Sequence, residues 1–241
     1  MIVFIDGPDG SGKSTLIASL GPALLAHGCP VTHAPPLWTY LNNLSAPEDF
    51  APWVRTTPGI QIAQALLKAK TRRIKSLITT AGTRHAHGVM LVDRGPKTVI
   101  CSALAHHKTG IPAPDSPQLP DPTTDQHRTR LEQHVRHLST VEAFMSIELR
   151  PPKRPNGLDV ILTRLSKREE LSSPYVRYLN ALCTELAAYS SSELLLPLDA
   201  TASIATITEL SLTQVLKQPS VVHTPVMQGT QIRPSRSSGT T

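Results

Sequence analysis

The feature that most constrains the fold of this chain is a glycine-rich segment near its start that matches the pattern G-x-x-x-x-G-K-[ST]. An apolar run typical of a buried strand, residues 1–5, precedes it, and an apolar stretch typical of a helix, residues 16–20, follows it. In this order they aim backbone N–H groups and a helix N-terminus at one point, which suits a polyphosphate. The predicted loop comprises Gly7, Pro8, Asp9, Gly10, Ser11, Gly12, Lys13, Ser14 and Thr15.

The residue types of this loop predict ATP and Mg²⁺ as its ligands. Its glycines allow the backbone to approach phosphates closely, and Lys13 is long enough to reach the β and γ oxygens. The hydroxyl of Ser14 is the predicted Mg²⁺ ligand. A plain glycine turn opening a helix is the alternative, and it leaves the lysine and the hydroxyl unexplained.

The composition of the chain is that of an α/β protein with long connections. Of its 241 residues 39% are hydrophobic, which is enough for a sizeable core, while 22 are proline and only 4% are aromatic. We expect one α/β domain over residues 1–216, a proline-rich surface insertion at about 110–126 and a disordered tail at 217–241.

Charge and cysteine content bear on partners and compartment. The formal charge of +6 comes from scattered cations, so nucleic acid is not the expected partner. The spacing of the three cysteines suits neither a metal nor a disulfide framework, which indicates a reducing compartment. With no run of membrane length and no signal pattern, an intracellular protein without a membrane partner is predicted, and a homodimer is left open.

Apolar runs alternate with helical stretches along the chain, which predicts an open parallel sheet with helices on both faces. The helical stretches are residues 16–20, 60–80 and 202–216. The predicted strands are residues 1–5, 30–33, 89–92, 143–149 and 194–198.

Asp93 and Arg94 end one predicted strand. Ligands of open α/β sheets bind at the carboxyl ends of the strands, so both side chains are expected beside the phosphate loop. There Asp93 would hold Mg²⁺, directly or through water, and Arg94 would grip a phosphate or an acceptor oxygen. The alternative is a surface pair that caps the following helix.

A second cationic group, Arg164, Lys167 and Arg168, is predicted to form a catalytic lid. The four-residue spacing of Arg164 and Arg168 places both on one helix face if the helix persists. Such cations neutralise charge on a transferring phosphoryl group. A solvated face paired with Glu169 and Glu170 is the alternative.

These motifs together resemble herpesvirus-type thymidine kinases, in islands over residues 1–216. The islands are Ile5-Asp6-Gly7-Pro8, Asp93-Arg94-Gly95-Pro96 followed by Cys101 and Ala105, Arg164-Leu165-x-Lys167-Arg168, and Tyr178-Leu179. Gly95 stands where that family has histidine. Thymidylate kinases and cellular deoxynucleoside kinases share the architecture, and Leu66-Leu67 through Arg72 with Asp93-Arg94 is equally similar to thymidylate kinases.

The resemblance also implies an acceptor site. Gln61 or Gln64 would bind the nucleobase edge and Trp38 would line the nucleoside pocket. Arg72 or Arg73 would bind the acceptor side. Each has a plainer alternative, since glutamines on helices are commonly solvated and a tryptophan after prolines is often only packed.

One departure from the nucleoside kinase pattern concerns the general base. Such kinases carry a glutamate at the end of the second strand, whereas residues 33–38 of this chain contain no carboxylate. His33 could accept the proton, because a neutral imidazole can act as a general base near physiological pH, although a histidine at a strand end is often structural. Asp6 or substrate-assisted transfer is the alternative. A thymidylate kinase needs no such base because its acceptor is already anionic.

The expected activity is therefore transfer of the γ-phosphoryl group of Mg·ATP to a pyrimidine deoxynucleoside, with thymidine leading, or to its monophosphate. The implied location is the cytoplasm or nucleus of a host cell. A P-loop ATPase or GTPase that drives a partner is the competing class, although no N-K-x-D motif for a switch GTPase is found. A binding-only pseudokinase is disfavoured because Lys13, Ser14, Asp93 and Arg94 are all present.

Overall fold

Five strands form one parallel sheet in the order β2-β3-β1-β4-β5. The computed structural model describes residues 1–42, 44–84, 88–110, 122–151, 157–167, 170–189 and 195–219. The strands are β1 Ile2–Asp6, β2 Val31–His33, β3 Val89–Asp93, β4 Phe144–Arg150 and β5 Leu195–Asp199. The predicted parallel sheet is confirmed, and β1, which is buried throughout, occupies its centre.

Eight α-helices accompany the sheet in the described ranges. They are α1 Lys13–Ala26, α2 Phe50–Thr56, α3 Gly59–Arg84, α4 Pro96–Thr109, α5 Pro122–Val141, α6 Gly157–Ser166, α7 Ser173–Ala188 and α8 Ile204–Leu216. Short 3₁₀ turns lie at Leu37–Tyr40 and Pro47–Asp49. Among the described helices, none is both long and apolar enough to cross a bilayer.

Alternate residues of β1 feed two different core layers, as the pleat of a strand requires. Val3 and Ile5 pack with α1 and α8 on one face of the sheet. Ile2 and Phe4 pack with α3, α4 and α5 on the other face. A third apolar cluster joins α4 to α6 and α7. Helices therefore cover both faces, as expected, and the loop that follows β1 emerges between them at the carboxyl edge.

The helix content differs from the prediction in several places. Helices α2, α4 and α5 were not predicted, and α5 begins at Pro122 inside the expected insertion. Leu131, Val135 and Leu138, spaced four and three apart, bury one side of this otherwise polar helix. In the lid region α6 ends at Ser166, and Lys167 lies in a turn after it.

Some predicted segments lie outside the described residues. They are positions 111–121 of the expected insertion and positions 220–241 of the expected tail. The domain boundaries at 1–216 and 217–241 therefore stay predictions.

Candidate active site

The loop after β1 adopts a conformation that suits an anion. Gly7, Gly10 and Gly12 have φ angles of 139°, 77° and 95°, which residues with side chains rarely adopt. Gly12 precedes α1, and no side chain caps that helix end, so its first N–H groups face the loop. A Cβ on Gly10 would lie 2.8 Å from Leu165 Cγ, because α6 packs directly over the loop.

Lys13 folds back onto the loop. Its ammonium donates to the carbonyl oxygens of Gly7, at 3.0 Å, and Pro8, at 2.7 Å. Burial lowers the pKa of Lys13, and the nearby carboxylates of Asp9 and Asp93 oppose that shift. The cation is therefore held in a desolvated position at the loop, where its charge acts strongly on an anion.

Asp9 is the carboxylate on which the loop cations converge. Its Oδ1 lies 2.7 Å from Arg94 Nη2 and 3.8 Å from Lys13 Nζ. The hydroxyl of Tyr175, in the first turn of α7, donates to its Oδ2 at 3.2 Å. Burial raises the pKa of Asp9, but Arg94 and Lys13 outweigh it, so the pKa lies below its usual value. Asp9 in turn raises the pKa of Arg94.

Asp93 and Arg94 end β3 beside the loop, where the sequence predicted them. The N–H of Arg94 donates to the carbonyl of Ile5 at 2.9 Å, which ties the end of β3 to β1. Arg94 is the one described non-glycine residue with a positive φ, at 57°, a conformation that is rare for a large side chain. The strained backbone turns its guanidinium toward Asp9.

The donor set fits a Mg²⁺ ion that also binds phosphate. Asp93 Oδ1 is buried and has no hydrogen-bond partner among the described residues. Ser14 is exposed in the first turn of α1. No group of three or more His, Cys, Asp or Glu side chains able to hold a metal exists within the described ranges. Phosphate oxygens and water would therefore complete the octahedron.

The neighbouring arginines of α3 have different environments. Arg73 is fully buried, and its Nη1 donates to the Asp93 carbonyl at 2.8 Å. Its Nε and Nη2 have no partner in the described structure, and burial lowers its pKa to about 10. Arg72 is exposed and binds the carbonyl of Tyr40 and the side chain of Asn42. Arg73 thus has two donor nitrogens available for a ligand, whereas Arg72 is hydrogen-bonded to the loop after β2.

The chain was compared with known proteins by sequence and by structure. No protein-family model and no curated protein matches the chain. Solved structures do match it. A deoxyadenosine kinase from M. mycoides with bound dATP superposes with a TM-score of 0.55 at 15% identity, covering 90% of this chain and 100% of that one. The same enzyme with bound dCTP gives 0.53 at 14% identity, covering 90% and 100%.

A sugar kinase from Janibacter sp. HTCC2649 gives a TM-score of 0.52 at 17% identity and covers 92% of this chain and 98% of that one. This chain has the P-loop kinase fold. The likeness to deoxyadenosine kinase supports the kinase architecture that the resemblance implied. The herpesvirus-type thymidine kinase family itself stays a prediction.

His33 does not join the group at the loop of this P-loop kinase fold. It ends β2 on the sheet face that packs against α1, in register with Leu91. Its ring lies 3.5 Å from where a Cβ on Gly21 would stand. Gly21 follows Lys13 by eight residues, a rise of about 12 Å along α1. The ring therefore packs well below the phosphate loop.

The other predicted nucleoside-binding residues lie on or near α3. Trp38 is half-buried in the 3₁₀ turn that contacts α3. Gln61 is exposed and Gln64 is half-buried in the first turns of α3. Their part in base recognition stays a prediction.

Of the predicted lid cations, Arg164 is hydrogen-bonded to a carbonyl beyond β5. Arg164 Nη1 donates to the carbonyl of Ala200, just after β5, at 2.7 Å. Lys167 is exposed beyond the end of α6. Arg168 lies outside the described residues.

A buried contact that the sequence analysis did not predict, between Asp6 and Thr98, holds the turn after Arg94. Asp6 accepts the N–H of Thr98 at 2.9 Å and the hydroxyl of Ser146 at 3.2 Å. Burial raises the pKa of Asp6, although these hydrogen bonds oppose the shift. A Cβ on Gly95 would lie 2.4 Å from Asp6 Oδ2, so the carboxylate leaves no room for a side chain at position 95.

A second missed feature is a buried ion pair between α4 and β4. Lys97 Nζ lies 3.1 Å from Glu148 Oε2, and both side chains are 2% exposed. Arg150 Nη2 donates to the same oxygen at 2.7 Å. The position of Glu148 near the carboxyl end of a predicted strand could have marked it as a candidate site residue. Its partner Lys97 is 51 positions away in the sequence, and local patterns do not predict such a pair.

Proposed function

We propose that this chain transfers the γ-phosphoryl group of Mg·ATP to a pyrimidine deoxynucleoside, with thymidine as the leading acceptor. The observation that carries the proposal is the convergence of Lys13 and Arg94 on Asp9 inside the glycine loop. Two cations and a helix N-terminus face one point, where they would stabilise polyphosphate charge. The bound dATP of the structurally similar deoxyadenosine kinase supports nucleotide binding by this fold.

Each residue of the site has a role in this reaction. Lys13 and Arg94 would exchange the carbonyls and Asp9 for phosphate oxygens, and their charges would stabilise the loosely bonded transferring group. Asp93 and Ser14 would hold Mg²⁺, which neutralises charge on the β and γ phosphates. Catalysis is then mostly positioning and electrostatic stabilisation.

The chemical step forms a bond between the acceptor oxygen and the γ-phosphorus while the bond to the β–γ bridging oxygen breaks. ADP leaves with the electron pair of that bond. A nucleoside hydroxyl must also lose a proton, and His33, the predicted base, packs against α1 at Gly21. A monophosphate acceptor has no such requirement.

Phosphorylation of thymidine monophosphate is therefore the second candidate, and Arg73 favours it. Its guanidinium is fully buried with two nitrogens unpartnered in the described structure, an arrangement that is costly unless a ligand completes it. Arginine suits phosphate in particular because its donors form a planar fork.

An ADP-release assay with thymidine, deoxycytidine, thymidine monophosphate or no acceptor tests the proposal. The proposal expects ADP release that depends on a pyrimidine acceptor. Release that is equally fast without an acceptor would instead support an ATPase that drives a partner. Loss of thymidine turnover in His33→Ala, with monophosphate turnover retained, would identify the base, and unchanged thymidine turnover would remove His33 from the mechanism.

Arg73→Lys separates the two acceptors. It keeps the charge but loses the planar fork, so the KM for thymidine monophosphate should rise about tenfold with the KM for thymidine unchanged. Arg72→Lys, on the exposed neighbour, is the matched control. An equal rise for both acceptors would assign Arg73 a structural role.

A further inference from the structure

Three charged side chains form a group beside the candidate site, which we term the Glu148 cluster: Lys97, Glu148 and Arg150. Glu148 Oε2 accepts from both cations, from Lys97 at 3.1 Å and from Arg150 at 2.7 Å. Lys97 and Glu148 are almost completely buried, whereas Arg150 is 41% exposed. None of the three was predicted to bind substrate.

The cluster holds the same turn that presents Arg94. Lys97 and Thr98 are consecutive residues in the first turn of α4, directly after the Arg94–Gly95 turn. Glu148 binds Lys97, and Asp6 accepts the N–H of Thr98 at 2.9 Å. Asp6 and Glu148 are partners in register on the adjacent strands β1 and β4. Glu148 and Asp6, on adjacent strands, thus bind Lys97 and Thr98, which are adjacent in α4.

Stability alone is a poor explanation for this ion pair. Removing two charges from water costs several kcal/mol per ion, about as much as their attraction returns, so well-packed apolar replacements are often as stable. What a buried pair does supply is one fixed geometry. Here that geometry sets the start of α4 relative to the central strands, and Arg94 has the strained φ of 57° three residues earlier.

We propose that Lys97 and Glu148 are positioning residues that fix the Arg94 guanidinium at the phosphate loop. The proposal rests on the proposed phosphoryl transfer, because Arg94 acts there on the transferring group. Arg150, the last residue of β4, binds the same Glu148 oxygen as Lys97, so the cluster joins the carboxyl end of β4 to the start of α4.

The test replaces the pair by apolar residues of similar volume, Lys97→Met with Glu148→Leu. We expect a folded protein with kcat reduced about 10- to 100-fold and the KM for acceptor changed less than about threefold, as for a misplaced catalytic group. A folded variant with kcat within about twofold of wild type would overturn the proposal. Lys108→Met with Glu185→Leu removes the exposed ion pair that joins α4 to α7 and is the matched control, with kcat unchanged.

A mutant cycle shows whether the effect passes through Arg94. In an Arg94→Lys background the apolar pair should lower kcat by less than about twofold, because residues that act as one unit are not additive. A full additional loss in that background would show that the pair acts independently of Arg94 and would overturn the proposal.

Amide hydrogen exchange gives a readout that needs no activity. The N–H groups of Arg94, Thr98 and Val99 are hydrogen-bonded around this turn. Their exchange should accelerate about tenfold in the Lys97/Glu148 variant and stay at the wild-type rate in the control. Unchanged exchange would overturn the positioning role. A wild-type protein without any turnover would refute the proposed function, while the exchange result would still decide the positioning.

Discussion

At the scale of single residues, Asp6 at the end of β1 and Asp9 in the following loop have pKa values shifted in opposite directions by their surroundings. Asp6 is capped by N–H and O–H donors below the loop, and burial raises its pKa. Asp9, three residues on, also loses water, but Arg94 and Lys13 lower its pKa. Asp6 is therefore a structural acceptor, and Asp9 is the counter-charge of the site cations.

Gly95 is predicted to be irreplaceable for steric reasons. Gly95→Ala would bring a Cβ to 2.4 Å from Asp6 Oδ2 and 2.7 Å from Phe4 Cβ, so the free energy of unfolding should drop by about 1–3 kcal/mol. Urea denaturation measures the change. Gly21→Ala is the control, since its new Cβ meets atoms no nearer than 3.5 Å in a helix, where alanine is favoured. Equal stability of both variants would contradict the steric account.

Asp93→Asn should damage turnover more than nucleoside binding. The Oδ1 of Asp93 is buried without a described partner, as expected for a group that binds Mg²⁺ only together with nucleotide. We expect kcat to fall about 10- to 100-fold, with partial recovery at high Mg²⁺, and a near-normal Kd for thymidine by calorimetry. Parallel losses of turnover and binding would mark Asp93 as structural.

At the scale of elements, all five strands were predicted, most of them as apolar-rich runs between turn signals, although Val31 is the single apolar residue of β2. Their spatial order was not, since β1 pairs with residues far along the chain. Helix α5 was missed because it is mostly polar and begins inside the proline-rich segment. Leu131, Val135 and Leu138 are few apolar residues from which to recognise a helical period. In the site, the glycine loop and Asp93-Arg94 are local motifs, whereas Asp6–Thr98 and Lys97–Glu148 join positions that only the fold brings together.

The contact between α4 and α7 should make stability depend on pH. His106 stacks on Tyr178 with ring centroids 4.1 Å apart, and burial lowers its pKa to about 4, with Asp9 opposing and Arg94 reinforcing the shift. Between pH 6.5 and about 4 the unfolded chain binds a proton at His106 that the folded chain does not. The free energy of unfolding should therefore fall by roughly 3 kcal/mol as the pH drops through this window.

Urea denaturation of wild type and His106→Phe at pH 7 and pH 4.5 isolates this contribution. Asp6, whose raised pKa has the opposite effect, titrates in both proteins and cancels in the comparison. The phenylalanine variant should lose less stability on acidification than wild type. Equal losses would contradict the assignment to His106.

At the scale of the whole molecule, the fold places one phosphate loop at the centre of a five-stranded sheet. The chain superposes on nucleotide-bound deoxyadenosine kinase structures, although no family model matches its sequence. The molecule therefore has the P-loop kinase fold, with Lys13 and Arg94 at the loop after β1. At the site, Gly95 packs closely against Asp6, and the buried Lys97–Glu148 pair joins α4 to β4.

The most direct test of the central claim follows the γ-phosphoryl group itself. Wild-type protein is incubated with γ-labelled ATP, Mg²⁺ and either thymidine or thymidine monophosphate, and the products are separated. Label is predicted in a thymidine nucleotide, with Lys13→Ala folded but slower by about a hundredfold or more, because that variant lacks the ammonium that stabilises the phosphates. Label found only in inorganic phosphate, or equal transfer by Lys13→Ala, would contradict the account.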